Sequence, residues 1–170
     1  MEASSVTEPG PPLVPNPGPE DLENPLQFKE KFVVAHAGLS LPSSSCDVVC
    51  QLGLTEVEHD SLGELSTATE GAVGPRHKLL GHPNVIQNDM ELECQLVSNG
   101  VYCGDSEGYR SKEAAALSPG AADWMLLLQI DSDDDTGMMW GDAGMLYFWI
   151  RRQDLAARAF DRVWMILQCG

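Results

Sequence analysis

The densest chemistry in this sequence lies between residues 131 and 142, where Asp131-Ser-Asp-Asp-Asp-Thr-Gly is followed by a further carboxylate at Asp142. Carboxylates at 131, 133 and 135, with another at the twelfth position, have the spacing of a calcium loop, because calcium takes six to eight hard oxygens and alternate acids on a tight turn supply them. Asp131, Asp133, Asp135 and Asp142 are therefore candidate metal ligands. The departures are Thr136 where an EF-hand needs glycine, an aspartate where it uses the longer glutamate, and flanks that read as strands. The other reading is a solvated acidic loop capping a strand end, with Asp133, Asp134, Asp135, Asp142 and the neighbouring Trp140 as a partner-binding surface. Trp140 sits at the end of this polar loop, where it serves as an anchor folded back onto the loop or as a partner contact.

Thiols and imidazoles are the second chemical resource. Cys46 and Cys50 lie four apart, His77 and His82 five apart, and His36, His59, Cys94, Cys103 and Cys169 are scattered. Structural zinc sites are built from close pairs such as Cys-x-x-Cys, and none occurs, so Cys46 and Cys50 read as small buried hydrophobes beside Val49. A nucleophilic Cys94 or Cys103 served by His77 or His82 lacks an orienting third group in the sequence. There is no Gly-x-Ser-x-Gly, and the glycines of Gly100 to Gly108 have neither the spacing nor the preceding strand of a phosphate or dinucleotide loop. No cofactor is expected.

These groups must be positioned by a fold, and the periodicity predicts an α+β one. Residues 1–27 hold seven prolines and five acids with no base, which predicts a tail or extended strap ahead of a domain over 28–170. The mixed run 28–41 reads as one or two short strands. Ser45 before CDVVCQL, Gly53 as a stop, and Thr55 with Glu58 as a capping box predict a helical hairpin ending near Leu65, with 66–76 as a loop. Asp89 to Val97 admits a hairpin through Asn99-Gly100 or a helix capped by Asp89, and the helix is preferred; a short helix follows at 112–117. Trp124–Ile130, Gly144–Ile150 and Val163–Gln168 read as buried strands with a helix over 154–162 before the last. The expected sheet is mainly antiparallel or mixed, with short helices packed on it, and the last strand is expected to return parallel to its neighbour.

Composition narrows the function. Ten basic against 26 acidic residues give a net charge of −16, which opposes binding to phosphate backbones and anionic lipid. No apolar run approaches the roughly 20 residues of a membrane span, and the N-terminus lacks a basic and apolar signal, so the expected location is the cytoplasm and the five cysteines are expected as thiols.

The motifs Asp123-Trp124, Leu127-Leu128-Gln129-Ile130-Asp131-Ser132-Asp133, Trp140-Gly141-Asp142-Ala143-Gly144-Met145-Leu146-Tyr147-Phe148-Trp149-Ile150 and Val163-Trp164 with Leu167-Gln168-Cys169 closely resemble the YwqG-like family of bacterial proteins. Leu80-Gly81-His82-Pro83, Ile86-Gln87 and Glu93-Cys94-Gln95-Leu96 extend the resemblance in the same order over about residues 25–170. The resemblance implies a domain of unknown function with no assigned enzyme activity, some of whose members occur in bacterial toxin systems as immunity proteins. Members are usually longer, with an earlier copy of the pattern, so this chain is expected to match a C-terminal portion. An exposed sheet edge then makes pairing with a second copy an expectation. The partner expected on charge is a basic protein such as a toxin.

Overall fold

A computed structural model describes residues 28–44, 46–70 and 74–170; the proline-rich stretch 1–27 and the Ser45 cap lie outside the described residues. The element order is α1 (Asp47–Cys50), α2 (Glu56–Glu70), β1 (Lys78–Leu79), α3 (Glu91–Val97), α4 (Ser106–Arg110), α5 (Lys112–Leu117), β2 (Trp124–Asp131), β3 (Met145–Arg151), α6 (Arg152–Ala156) and β4 (Trp164–Gln168). Short 3-10 helices at Ser118–Asp123 and Phe160–Arg162 lead into β2 and β4. The fold is α+β, with strand-strand-helix-strand at the C-terminus.

Both expected helices form, and the second starts at its cap. The Thr55 backbone N–H and hydroxyl both donate to the Glu58 carboxylate at 2.8 and 2.7 Å, which closes the capping box and holds that carboxyl below its ordinary value. The helix runs past Leu65 to Glu70, absorbing part of the expected loop. At α3 the first turn carries Glu91 and Glu93, but the N-cap is Met90, which makes no side-chain cap. Gly100 stops the chain beyond α3 with φ 85°. Asp105 and Ser111 cap α4 and α5 through their side-chain oxygens.

The four strands form one sheet in the order β1-β2-β3-β4, every pair antiparallel. The expected parallel return of the last strand is thus corrected. A parallel return would carry the chain back along β3, about 20 Å at some 3.3 Å per residue. Residues 152–163 are spent on two short helical turns, with Arg158 at φ 56° reversing the direction between them. A second correction concerns residues 28–43, which have no regular secondary structure, are mostly exposed and do not join the sheet. That segment is tethered at its start, where Phe28 meets the Trp140 ring edge-on at 5.3 Å, and near its end, where the Ser40 hydroxyl accepts from the His82 N–H at 2.8 Å.

One face of the sheet carries the core. Trp124, Leu126, Met145, Tyr147, Trp149 and Ile166 pack there with Met90 and Cys94, and Val85, Ile86 and Trp164 close the margin. The alternation along β2 is interrupted between Leu126 and Leu128, where the pairing with β3 shifts by one residue. Leu127 is the inserted residue, and Gln129 therefore joins Leu126 on the core face. The opposite face presents a straight row across all four strands, Leu79, Leu128, Phe148 and Met165, beside a second row of Ile130, Leu146 and Leu167.

Candidate functional site

Two glutamines and a tyrosine on adjacent strands hold the strap 76–90 across the core face. Gln129 is fully buried; its Oε1 accepts from the Asn84 N–H at 2.8 Å, while its Nε2 donates to Asn84 Oδ1 at 3.0 Å and to the Arg76 carbonyl at 2.6 Å. Tyr147 donates its hydroxyl proton to the Asn84 carbonyl at 2.6 Å, and burial pushes this phenol well above its ordinary value. Gln168 accepts from both the Ile86 and Gln87 N–H groups at 3.1 Å and donates to the Asn88 carbonyl at 2.7 Å. Beyond the two-residue ladder of β1, the strap thereby has backbone groups at Asn84 and Ile86 to Asn88 satisfied by side chains.

The strap positions the acidic loop. The Arg76 N–H donates to Asp131 Oδ2 at 2.8 Å, and the Asp131 N–H donates to His77 Nδ1 at 3.2 Å. Within the loop, Asp133 and Met138 exchange backbone hydrogen bonds at 2.8 and 3.0 Å, and Asp133 Oδ1 accepts from the Asp135 N–H at 2.9 Å. The Ser132 hydroxyl donates to the Gly144 carbonyl at 2.8 Å and accepts from the Trp140 N–H at 3.0 Å. Trp140 folds back as an anchor, its indole N–H donating to the Asp131 carbonyl at 3.1 Å. Gly144 must be glycine at this crossing, because a Cβ there would collide with the carbonyls of Gln168 and Trp140.

A hollow of about 480 Å³ opens beside the loop, lined by Gly74, Pro75 and the loop residues Asp131 to Asp135. Asp134, Asp135 and Asp142 are exposed, Asp131 and Asp133 half-buried. His77 Nε2 lies 3.9 Å from Asp133 Oδ2. Among the described residues, no three His, Cys, Asp or Glu side chains converge to hold a metal. Of the expected ligands, Asp131 spends one oxygen on the Arg76 N–H of the strap and Asp133 one on the Asp135 N–H of the loop, and Asp142 is exposed. What the arrangement offers is a stiff, negatively charged rim.

The thiols of the nucleophile reading sit in other surroundings. Cys94 is buried in the core, where burial and the neighbouring Glu93 and Glu91 push its thiol far above its ordinary value. Cys103 lines a second hollow of about 420 Å³ with Glu93, Val97 and Gly100 to Gly104, and burial raises its thiol too. Tyr109 hydrogen-bonds to both Cys103 and Glu93. A nucleophilic thiol needs the opposite shift.

Sequence reasoning missed Gln129, Gln168 and Asn84 as the residues that hold the site together. A signal was present: Leu128-Gln129 and Leu167-Gln168 each place a glutamine among the apolar residues of a strand, where a buried amide must find partners. With Gln129, Asp131, Ser132 and Trp140 all committed to one loop and strap, the motif residues form a single structural unit. The family model for a domain of unknown function, DUF1963, matches residues 14–169. The chain belongs to this family. The DUF1963 match begins within the proline-rich stretch and takes in the strap, the clamp and the acidic loop. No match is found among curated proteins. The DUF1963 description assigns no activity. Among the described residues of this DUF1963 chain, no helix is long and apolar enough to cross a membrane.

Proposed function

We propose that this chain is a YwqG-like protein of bacterial origin that acts in the cytoplasm as a non-catalytic protein-binding module. Its specific role in this reading is that of an immunity protein, with Asp133, Asp134, Asp135 and Asp142 around Trp140 meeting a basic surface on a toxin. The observation that carries the reading is the loop itself: five carboxylates over 131–142 with no base, held by Trp140, Ser132 and Asp133 through internal hydrogen bonds. A pre-organised rim of one sign loses little entropy on docking and accelerates the encounter with an oppositely charged partner. The net charge of −16 supports the same choice of partner, and the family resemblance to proteins of toxin systems supports the specific role.

Capture from cell extract at low and high salt tests it. A basic protein is expected to bind at low salt and weaken as salt rises. The Asp134→Asn, Asp135→Asn, Asp142→Asn triple variant is expected to slow association by roughly tenfold while keeping the melting curve. Undiminished association by the triple variant would remove the loop as the site. Absence of any basic co-purifying protein, together with no toxin gene beside this one, would remove the immunity role.

A further inference from the structure

The acidic loop is met by a piece of its own chain. Phe28 sets its ring edge-on against Trp140 at 5.3 Å, and the Lys29 backbone N–H donates to the Thr136 carbonyl at 3.2 Å. Thr136 directly follows the carboxylates Asp133, Asp134 and Asp135, so the chain at Lys29 is brought beside them. The placement of bases marks this run out. Lys29 and Lys31 are the only lysines or arginines in residues 1–75, the next base being Arg76, and both fall in the short run that reaches the loop. The hold is local. Residues 28–39 are all exposed, and the ring and hydrogen-bond contacts of that stretch gather at Phe28 and Lys29, with the next tether at Ser40.

We infer that Phe28-Lys29-Glu30-Lys31 is a built-in occupant of the acidic loop, an aromatic and basic stretch of chain that the protein partner must displace. The inference rests on the reading of this loop as the partner-binding surface, and it adds the partner's chemistry: a segment that lays an aromatic ring against Trp140, offers a backbone N–H to the Thr136 carbonyl and carries bases next to Asp133, Asp134 and Asp135. The strength of the contact suits displacement. An exposed ring pair with one backbone hydrogen bond and neighbouring opposite charge holds a segment in place by a factor on the order of ten. A permanent strut is fixed by buried side chains, and residues 28–39 have none. When the docked form outnumbers the open form about tenfold, a competing partner's apparent affinity falls by about the same factor. The tethered segment thus filters partners, since a protein with charge alone competes poorly against one that also supplies a ring for Trp140.

Trypsin reads the docked state without any partner, because Lys29 and Lys31 are its first two sites in the full chain and cleavage requires the segment to leave the loop. Phe28→Ala is expected to speed cleavage at these two sites about tenfold with the melting curve retained, since Phe28 is 39% exposed. A fluorescein-labelled peptide of residues 25–33 supplies the occupant in trans. It is expected to bind Phe28→Ala about tenfold more tightly than the wild type, and to weaken when Asp134→Asn and Asp135→Asn are added to that variant. Equal cleavage rates in wild type and Phe28→Ala overturn the proposal, as does a peptide that does not distinguish the two. A protein captured through the loop whose affinity Phe28→Ala leaves unchanged also overturns it, while the loop stands as the partner surface. The expected cleavage and peptide results with no basic protein captured from cell extract support the self-contact and remove only the functional reading on which displacement rests.

Discussion

Asn84 and Gln129 bind each other reciprocally, the backbone N–H of Asn84 donating to the Gln129 side chain at 2.8 Å while that side chain donates back to Asn84 Oδ1 at 3.0 Å. This exchange continues through side chains the strand pairing that ends with β1, and it fixes where Arg76 and His77 meet the acidic loop. The consequence is that stability and site geometry share the same two amides.

Gln129→Leu removes the acceptor of the Asn84 N–H and the donor to the Arg76 carbonyl in a fully buried position. A loss of about 2–4 kcal/mol is expected, since each buried group left unpaired costs about 1–3 kcal/mol. Gln168→Leu, which strands the Ile86 and Gln87 N–H groups, is expected to fall in the same range. Urea unfolding followed by tryptophan fluorescence measures both; a change under 0.5 kcal/mol at either position would show that water replaces the clamp.

The two core tryptophans are expected to respond differently to the same substitution. Trp149 is buried, and its indole N–H has no hydrogen-bond partner among the described residues. Trp149→Phe therefore relieves an unpaired donor while losing volume, and its net cost is expected within about 1 kcal/mol of zero. Trp124 donates to Gln95 Oε1 at 3.0 Å and lies under the Arg151 guanidinium at 5.1 Å, so Trp124→Phe is expected to cost about 1–2 kcal/mol more. Equal costs would contradict this assignment.

Burial raises the Glu93 carboxyl above its ordinary 4.5. A group whose pKa is higher folded than unfolded favours the native state while protonated, and that contribution is lost as pH rises from about 4.5 through the raised value. Glu93→Gln keeps an acceptor for Tyr109 and removes the titration. The variant is expected to be more stable than wild type at pH 7, with the difference vanishing below pH 4.5; a difference independent of pH would sink the assignment.

Alkylation should rank the thiols by exposure. All five are thiols and not disulfides, with Cys50 exposed and Cys94 buried. Iodoacetamide at neutral pH is expected to modify Cys50 first and Cys94 only on unfolding, with Cys103 slowed by its raised pKa. Mass spectrometry of timed digests reads the order, and Cys103 reacting ahead of Cys50 would revive a nucleophilic role for it.

Local signals in the sequence were sound guides. The Thr55 and Glu58 box, the α3 helix preferred over a hairpin, and the three long strands all carry their instructions in consecutive residues. What was not legible depends on distant partners. β1 is two residues long and forms because Lys78 and Leu79 meet Gln129 and Leu128. The antiparallel return of β4 turns on one left-handed residue, Arg158, for which no residue-type signal exists. In the acidic loop, spacing identified the carboxylates, but only the fold shows that Asp131 binds the Arg76 N–H of the strap and Asp133 the Asp135 N–H of the loop.

The extra residue in β2 has an implication for how this chain tolerates insertions and deletions. Removing Leu127 would take out the unpaired residue and leave Leu126 opposite Trp149 and Leu128 opposite Phe148, so Gln129 would still face Arg76 and Asn84. A single codon lost at this point in the leucine run would thus be absorbed as a flat strand. One residue gained between Leu128 and Gln129 and taken up in regular register would instead turn Gln129 out among the leucines and unhook the strap from the sheet.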